Sequence, residues 1–146
     1  MTSLSGEWET PQELFDELNK EFNFDTDLCA SDKNAKCSRY VKKGDGAYDN
    51  NDSLPYVYKS AFMNPPYGRN IGKFVRKAYM LAFRDGKTIV CLLPARTDTK
   101  WWHNYCMKGE IRFLQGRVKF INPDDRTAKP QSAPFPSAIV IFRGNL

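Results

Sequence analysis

The chain of 146 residues has little of several things. It has one histidine, His103, and four cysteines, Cys29, Cys37, Cys91 and Cys106, none in a CxxC spacing. Scattered cysteines argue for reduced, buried thiols and against a disulfide framework. A zinc set of Cys29, Cys37, His103 and Cys106 is conceivable, since His103 and Cys106 stand three apart on an expected helix. Its irregular spacing speaks against it, and no metal is expected. No apolar run approaches the ~20 residues of a membrane span, and "MTSLSGEWETPQ" lacks the basic start and apolar core of a signal peptide. A cytoplasmic location without membrane contact is the expectation. There is no room for a second domain, so a single domain over residues 1–146 is expected.

A hydrophobic fraction of 41% with 14% aromatic residues is that of a folded globular protein. The net charge of +5 is unevenly spread. Residues 1–60 carry 7 Lys/Arg against 12 Asp/Glu, and residues 61–146 carry 15 against 5. A basic second half points to a polyanionic partner, nucleic acid first.

Periodicity gives an order of elements. Thr10-Pro11-Gln12-Glu13 predicts a helix start, with threonine at the N-cap, proline at the first position and a capping-box glutamate. Leu14, Phe15, Leu18 and Phe22 recur at helical spacing, and Phe22, Phe24, Thr26 and Leu28 then alternate as a strand would. Residues 31–59 read as one long irregular stretch, and residues 122–136, with four prolines, as a loop. "SAFM" is a short buried strand, and Ile71, Phe74, Val75, Ala78 and Ala82 share a helical face. "KTIVCLLPA" suits a central parallel strand, a short helix is expected over residues 100–107, a strand over 110–114 and a last buried strand at "SAIVIFR". Alternating strands and helices predict an α/β fold with a mostly parallel open sheet flanked by helices, and ligands at the carboxyl ends of its strands.

"FMNPPYG", residues 62–68, falls at such an end. Proline fixes φ and removes a backbone donor, so the Asn64 oxygen and the Pro65 carbonyl can stand as rigid acceptors, with Pro66 holding the second in aim. Tyr67 adds a flat face. Two acceptors beside a stacking surface fit a planar amide or aromatic amine. Such an amine is a poor nucleophile because its lone pair is delocalised. Accepting both of its hydrogens favours a more tetrahedral nitrogen that can attack, and the proton can leave afterwards.

The tetrapeptide Asn64-Pro65-Pro66-Tyr67 resembles the catalytic motif of amino-group methyltransferases that use S-adenosylmethionine. Its surroundings resemble phage-type DNA N6-adenine methyltransferases along nearly the whole chain: "W.TP..LF..L" from Trp8, "D.CAS..NAKC..Y" from Asp27, "LLPARTDTKWWH", "GRVKF" and "PFPSAIVIF". The resemblance implies a compact Rossmann-like methyltransferase that binds S-adenosylmethionine and methylates N6 of adenine in DNA after flipping the base out of the duplex. By the same resemblance Asp27 and the Cys29-Ala30-Ser31 turn hold the cofactor, Trp8, Thr10 and Pro11 belong to its N-terminal cofactor segment, and Asp49 or Asp52 is the acid for its adenine. The chain lacks the glycine-rich DxFxGxG loop of many methyltransferases.

Candidate DNA contacts are Arg69, Arg96 and Lys100, with Trp101 or Trp102 able to stack on an extruded base and His103 structural or substrate-adjacent. Arg117 and Lys119 alternate with Val118 and Phe120, which puts both charges on one face as a phosphate track. No length is left for a separate target-recognition domain, so recognition is relaxed, built from the 31–59 and 122–136 loops, or shared across a homodimer. A monomer and a homodimer both stay open. Rival readings are an NPPY enzyme acting on RNA or a protein glutamine, and a DNA-binding module without activity.

Overall fold

The near-continuous apolar runs become the middle of a sheet. A computed structural model describes residues 8–49 and 53–144. In chain order these form α1 (Gln12–Phe22), β1 (Thr26–Ala30), β2 (Arg39–Lys42), α2 (Gly46–Asp49), β3 (Ser60–Met63), α3 (Ile71–Phe83), β4 (Thr88–Pro94), α4 (Lys100–Asn104), a 3₁₀ turn (Cys106–Lys108), β5 (Glu110–Phe113), β6 (Lys119–Phe120), β7 (Gln131–Ser132) and β8 (Ser137–Arg143). The main sheet has the order β2-β1-β3-β4-β8-β5. β1 pairs in parallel with β2 and β3, and β3 with β4, while β8 lies antiparallel between β4 and β5. This is the expected open α/β sheet, consistent with a Rossmann-like methyltransferase fold.

Both faces are covered, which is why β4 and β8 tolerate no polar alternation. Ile89, Cys91 and Leu93 of β4 pack with Phe74, Ala78 and Leu81 of α3 on one side. Val90 and Leu92 face the other side, with Phe15 and Leu18 of α1 and Val118 and Phe120 around β6. Among the described residues no helix is long and apolar enough to cross a membrane.

Several local expectations are corrected. Pro11, not Thr10, is the N-cap of α1; its carbonyl accepts from Phe15 N at 3.2 Å, and no side chain caps the helix. The capping box therefore does not form, because Thr10 is engaged elsewhere. Phe22 ends α1, and Asn23 turns the chain in the left-handed region (φ 52°), so the strand starts at Thr26. The 31–59 stretch contains β2 and α2, and the proline-rich 122–136 stretch contains β7. The 100–107 helix stops at Asn104 before the 3₁₀ turn.

The topology sets the place of chemistry. From β1 the sheet runs outward to β2 on one side and to β3 on the other, so the strand order reverses between β1 and β3. A crevice opens at the carboxyl ends of strands where such a reversal occurs. Ala30 and Met63 are those ends, and Asn64 follows Met63 directly.

Candidate active site

The Asn64 amide is held from three segments. Its Nδ2 donates to the Trp8 carbonyl at 2.9 Å and to the Thr10 hydroxyl at 3.0 Å. Its Oδ1 accepts from the Tyr67 hydroxyl at 2.8 Å. That hydroxyl also lies 3.1 Å from the Leu92 carbonyl. Burial pushes the Tyr67 phenol well above its ordinary pKa, so it remains a donor. The Tyr67 ring stands edge-on to Phe120 and Phe135, at centroid distances of 5.9 and 5.4 Å. Pro65 is buried, and among the described residues its carbonyl has no hydrogen-bond donor. Asn64 thus keeps one oxygen lone pair uncommitted beside a second free acceptor.

Next to Asn64 a narrow cleft opens between β1 and β3, with Trp8, Thr10, Asp27, Ala30, Ser31 and Pro66 in its wall. Asp27 is 3% exposed. Its carboxylate accepts from Cys29 N at 3.3 Å and Lys36 N at 3.0 Å. Burial raises its pKa from 3.8 to about 6, and the two backbone donors and the Lys36 charge only partly oppose this. After β1 the chain turns tightly, with Ser31 O accepting from Asn34 N and Ala35 N and Asn34 Oδ1 accepting from Ser31 N. Cys29 borders the cleft, its thiol pushed well up by burial and by Asp27.

A second cleft shares Tyr48 and Pro66 with the first. Asp49 lies there with Tyr67, Arg69 and Lys73, and its carboxylate accepts from Gly44 N. Asp49 thus lines the second cleft and Asp27 the first, and Asp52 lies outside the described residues. Pro11 is not in the first cleft either: it borders a surface groove with Leu14, Arg117 and Lys119.

Of the basic candidates, Arg69, Arg96, Lys100, Arg117 and Lys119 are all exposed. Arg96 sits over the Phe135 ring at 5.5 Å. Val118 and Phe120 are buried, whereas Arg117, just before β6, and Lys119 are exposed and border the same surface groove. Trp102 is 2% exposed and belongs to the core, which removes it as a surface for a base. Trp101 is half-buried over Gly72. His103 Nε2 pairs with the Thr97 carbonyl at 2.7 Å and tightens the turn before α4. Among the described residues no three His, Cys, Asp or Glu side chains converge as metal ligands.

Three charged residues beside the cleft escape a reading of the sequence. Glu9, between Trp8 and Thr10, is 5% exposed and pairs with Lys36 at 2.9 Å and Arg126 at 2.6 Å. Lys36 also donates to Gln12 at 2.8 Å, and Arg126 to the Lys33 carbonyl at 2.7 Å. Lys36 stands inside the quoted "NAKC" motif, which was the available signal; Glu9 and Arg126 have no local signature.

The family model described as DNA N-6-adenine-methyltransferase (Dam) matches residues 2–145. A protein of Haemophilus phage HP1 named "DNA N-6-adenine-methyltransferase" is 31% identical over 134 residues, covering 85% of this chain and 74% of the relative.

Proposed function

The chain belongs to the DNA N-6-adenine-methyltransferase (Dam) family, and from that premise we propose that it methylates N6 of adenine in DNA at Asn64 and Pro65, with S-adenosylmethionine as donor. The observation that carries the assignment of the site is the Asn64 amide. Both of its N–H groups are taken up by the protein, so only its oxygen, bonded once to the Tyr67 hydroxyl, has acceptor capacity to spare just past the carboxyl end of β3.

The first cleft fits the donor. Trp8 Nε1 is buried without a hydrogen-bond partner among the described residues, an unmet donor that a ligand oxygen would satisfy. Asp27 offers a negative charge and Lys36 a positive one, matching the two ends of an amino acid. When bound, S-adenosylmethionine supplies an electrophilic methyl group. Trp8, Asp27, Cys29, Ala30 and Ser31 would hold its methionine end, and Tyr48, common to both clefts, leads on toward Asp49.

Asn64 Oδ1 and the Pro65 carbonyl accept the two N6 hydrogens. This interaction strengthens as the nitrogen becomes tetrahedral, so it acts on the transition state more than on binding. Asn64 and Pro65 are too weakly basic to keep a proton, so the surplus proton of the methylated N6 would pass to water. Flipping the base costs a few kcal/mol, offset by contacts in the pocket, with Tyr67 providing its ring. The exposed Arg69, Arg96, Lys100, Arg117 and Lys119 hold phosphates, and Trp101 is the tryptophan available beside the base.

Incubation with methyl-labelled S-adenosylmethionine and, separately, DNA, RNA and protein, followed by nucleoside mass spectrometry, tests the reading. N6-methyladenine in DNA is expected. Label found in RNA or protein only would overturn it.

A further inference from the structure

We propose that the Trp8 carbonyl and the Thr10 hydroxyl form a clamp that fixes the Asn64 amide in one orientation, with Thr10 a positioning residue, and that this clamp admits asparagine but not aspartate at position 64. The inference rests on the reading of Asn64 as the acceptor for the substrate amine.

A carboxamide has two ends of nearly equal shape and opposite hydrogen-bonding character. Rotation about its last bond would exchange acceptor for donor at the substrate. At Asn64 that exchange is blocked. A backbone carbonyl only accepts, so the end 2.9 Å from the Trp8 oxygen must be the NH2. The second N–H goes to Thr10 Oγ1 at 3.0 Å, where Thr10 is 3% exposed and water cannot take its place. At the other end the Tyr67 hydroxyl donates to the amide oxygen at 2.8 Å, a contact that accords with this orientation, while the Trp8 carbonyl is what fixes it. A flipped amide would set oxygen against oxygen at Trp8.

The clamp is itself anchored. Between its two members lies Glu9, whose N–H and C=O are both bonded to Ile121, at 2.9 and 3.0 Å. The Glu9 side chain is tied to Lys36 and Arg126. A tripeptide pinned through its central residue thus presents two acceptors at a fixed spacing. This accounts for a threonine buried just before α1 that caps nothing.

An aspartate in this place would be ionised and would only accept. Thr10 can turn its hydroxyl to donate, but the Trp8 carbonyl cannot, so one carboxylate oxygen would face a carbonyl oxygen without a proton between them. Protonation of that oxygen would restore the donor and the asparagine-like arrangement. The charged and titratable groups around the position are Glu9, Asp27, Cys29, Lys36 and Tyr48 in the wall of the same cleft and Tyr67 on its own segment.

The test uses the full chain with Thr10→Val, Thr10→Ser, Asn64→Asp and Asn64→Ala, each confirmed folded by circular dichroism. Thr10→Val removes the acceptor and keeps the shape. It should lower kcat about tenfold, the equivalent of one hydrogen bond, while KM for DNA and Kd for S-adenosylmethionine stay within about threefold. Thr10→Ser should restore kcat. Asn64→Asp should be nearly inactive at neutral pH, and its rate relative to wild type, both at saturating S-adenosylmethionine, should climb as pH falls. An inactive Asn64→Ala beside a fully active Thr10→Val, or a pH-independent Asn64→Asp ratio, would overturn the clamp and leave the acceptor reading standing. An active Asn64→Ala would instead remove the acceptor reading itself.

Discussion

Replacing Asp27 by asparagine should make the protein more stable above pH 6 while weakening its hold on the methyl donor. The native carboxyl keeps its proton up to about pH 6, against an ordinary value of 3.8, because burial penalises its charge. Between those values the native state binds more protons than the unfolded one, so stability falls as pH rises through this window and stays low above it. The gap corresponds to about 3 kcal/mol, of which roughly 2 kcal/mol falls between pH 4 and pH 8. Asparagine removes this dependence. It keeps one oxygen for either Cys29 N or Lys36 N and turns its NH2 toward the other, a loss of about 1 kcal/mol. A net gain of about 1–2 kcal/mol is therefore expected at pH 8. Urea denaturation of wild type and variant from pH 4 to pH 8 measures it, and the difference between the two curves isolates this one group. A difference that does not grow with pH would refute the reasoning, as would growth in the opposite direction. In parallel, calorimetric titration should show Asp27→Asn binding S-adenosylmethionine at least about tenfold more weakly at pH 8, the loss expected for one charged contact.

Other perturbations follow from the same geometry. Lys36→Met leaves Glu9 buried with Arg126 alone, both Lys36 and Glu9 side chains being about 5% exposed or less, and should cost about 3 kcal/mol in urea denaturation. Adding Glu9→Gln to that variant should cost less than the sum of the two single changes, and strict additivity would mean the pair is not coupled. Arg117→Ala and Lys119→Ala should each lower DNA affinity and reduce the slope of log K against log salt by about 1. An unchanged slope in fluorescence anisotropy would take these residues out of the phosphate track.

Much of the fold was legible because its long strands and α3 obey simple patterns. β4 and β8 are buried on both faces, and α3 shows a clean apolar face. β2 was not legible: Arg39–Lys42 is an edge strand with no fully buried residue, so no alternation marks it. Phe22 and Phe24 extended an apparent alternation past the true start of β1, although a left-handed turn at Asn23 separates them. The NPPY tetrapeptide was readable because its stiffness is local. The roles of Thr10 and Glu9 were not, because their partners are remote: Asn64 lies 54 positions from Thr10, and Arg126 lies 117 from Glu9. A buried threonine beside a proline reads as a helix cap until the fold brings the amide to it.

Asn64→Ala is the most direct test of the site. Single-turnover transfer of labelled methyl to DNA should fall by at least about a hundredfold, as when a donor or acceptor serving the transition state is removed. The Kd for S-adenosylmethionine should meanwhile stay within about threefold of wild type. Transfer within a few-fold of wild type, at unchanged cofactor affinity, would contradict the account.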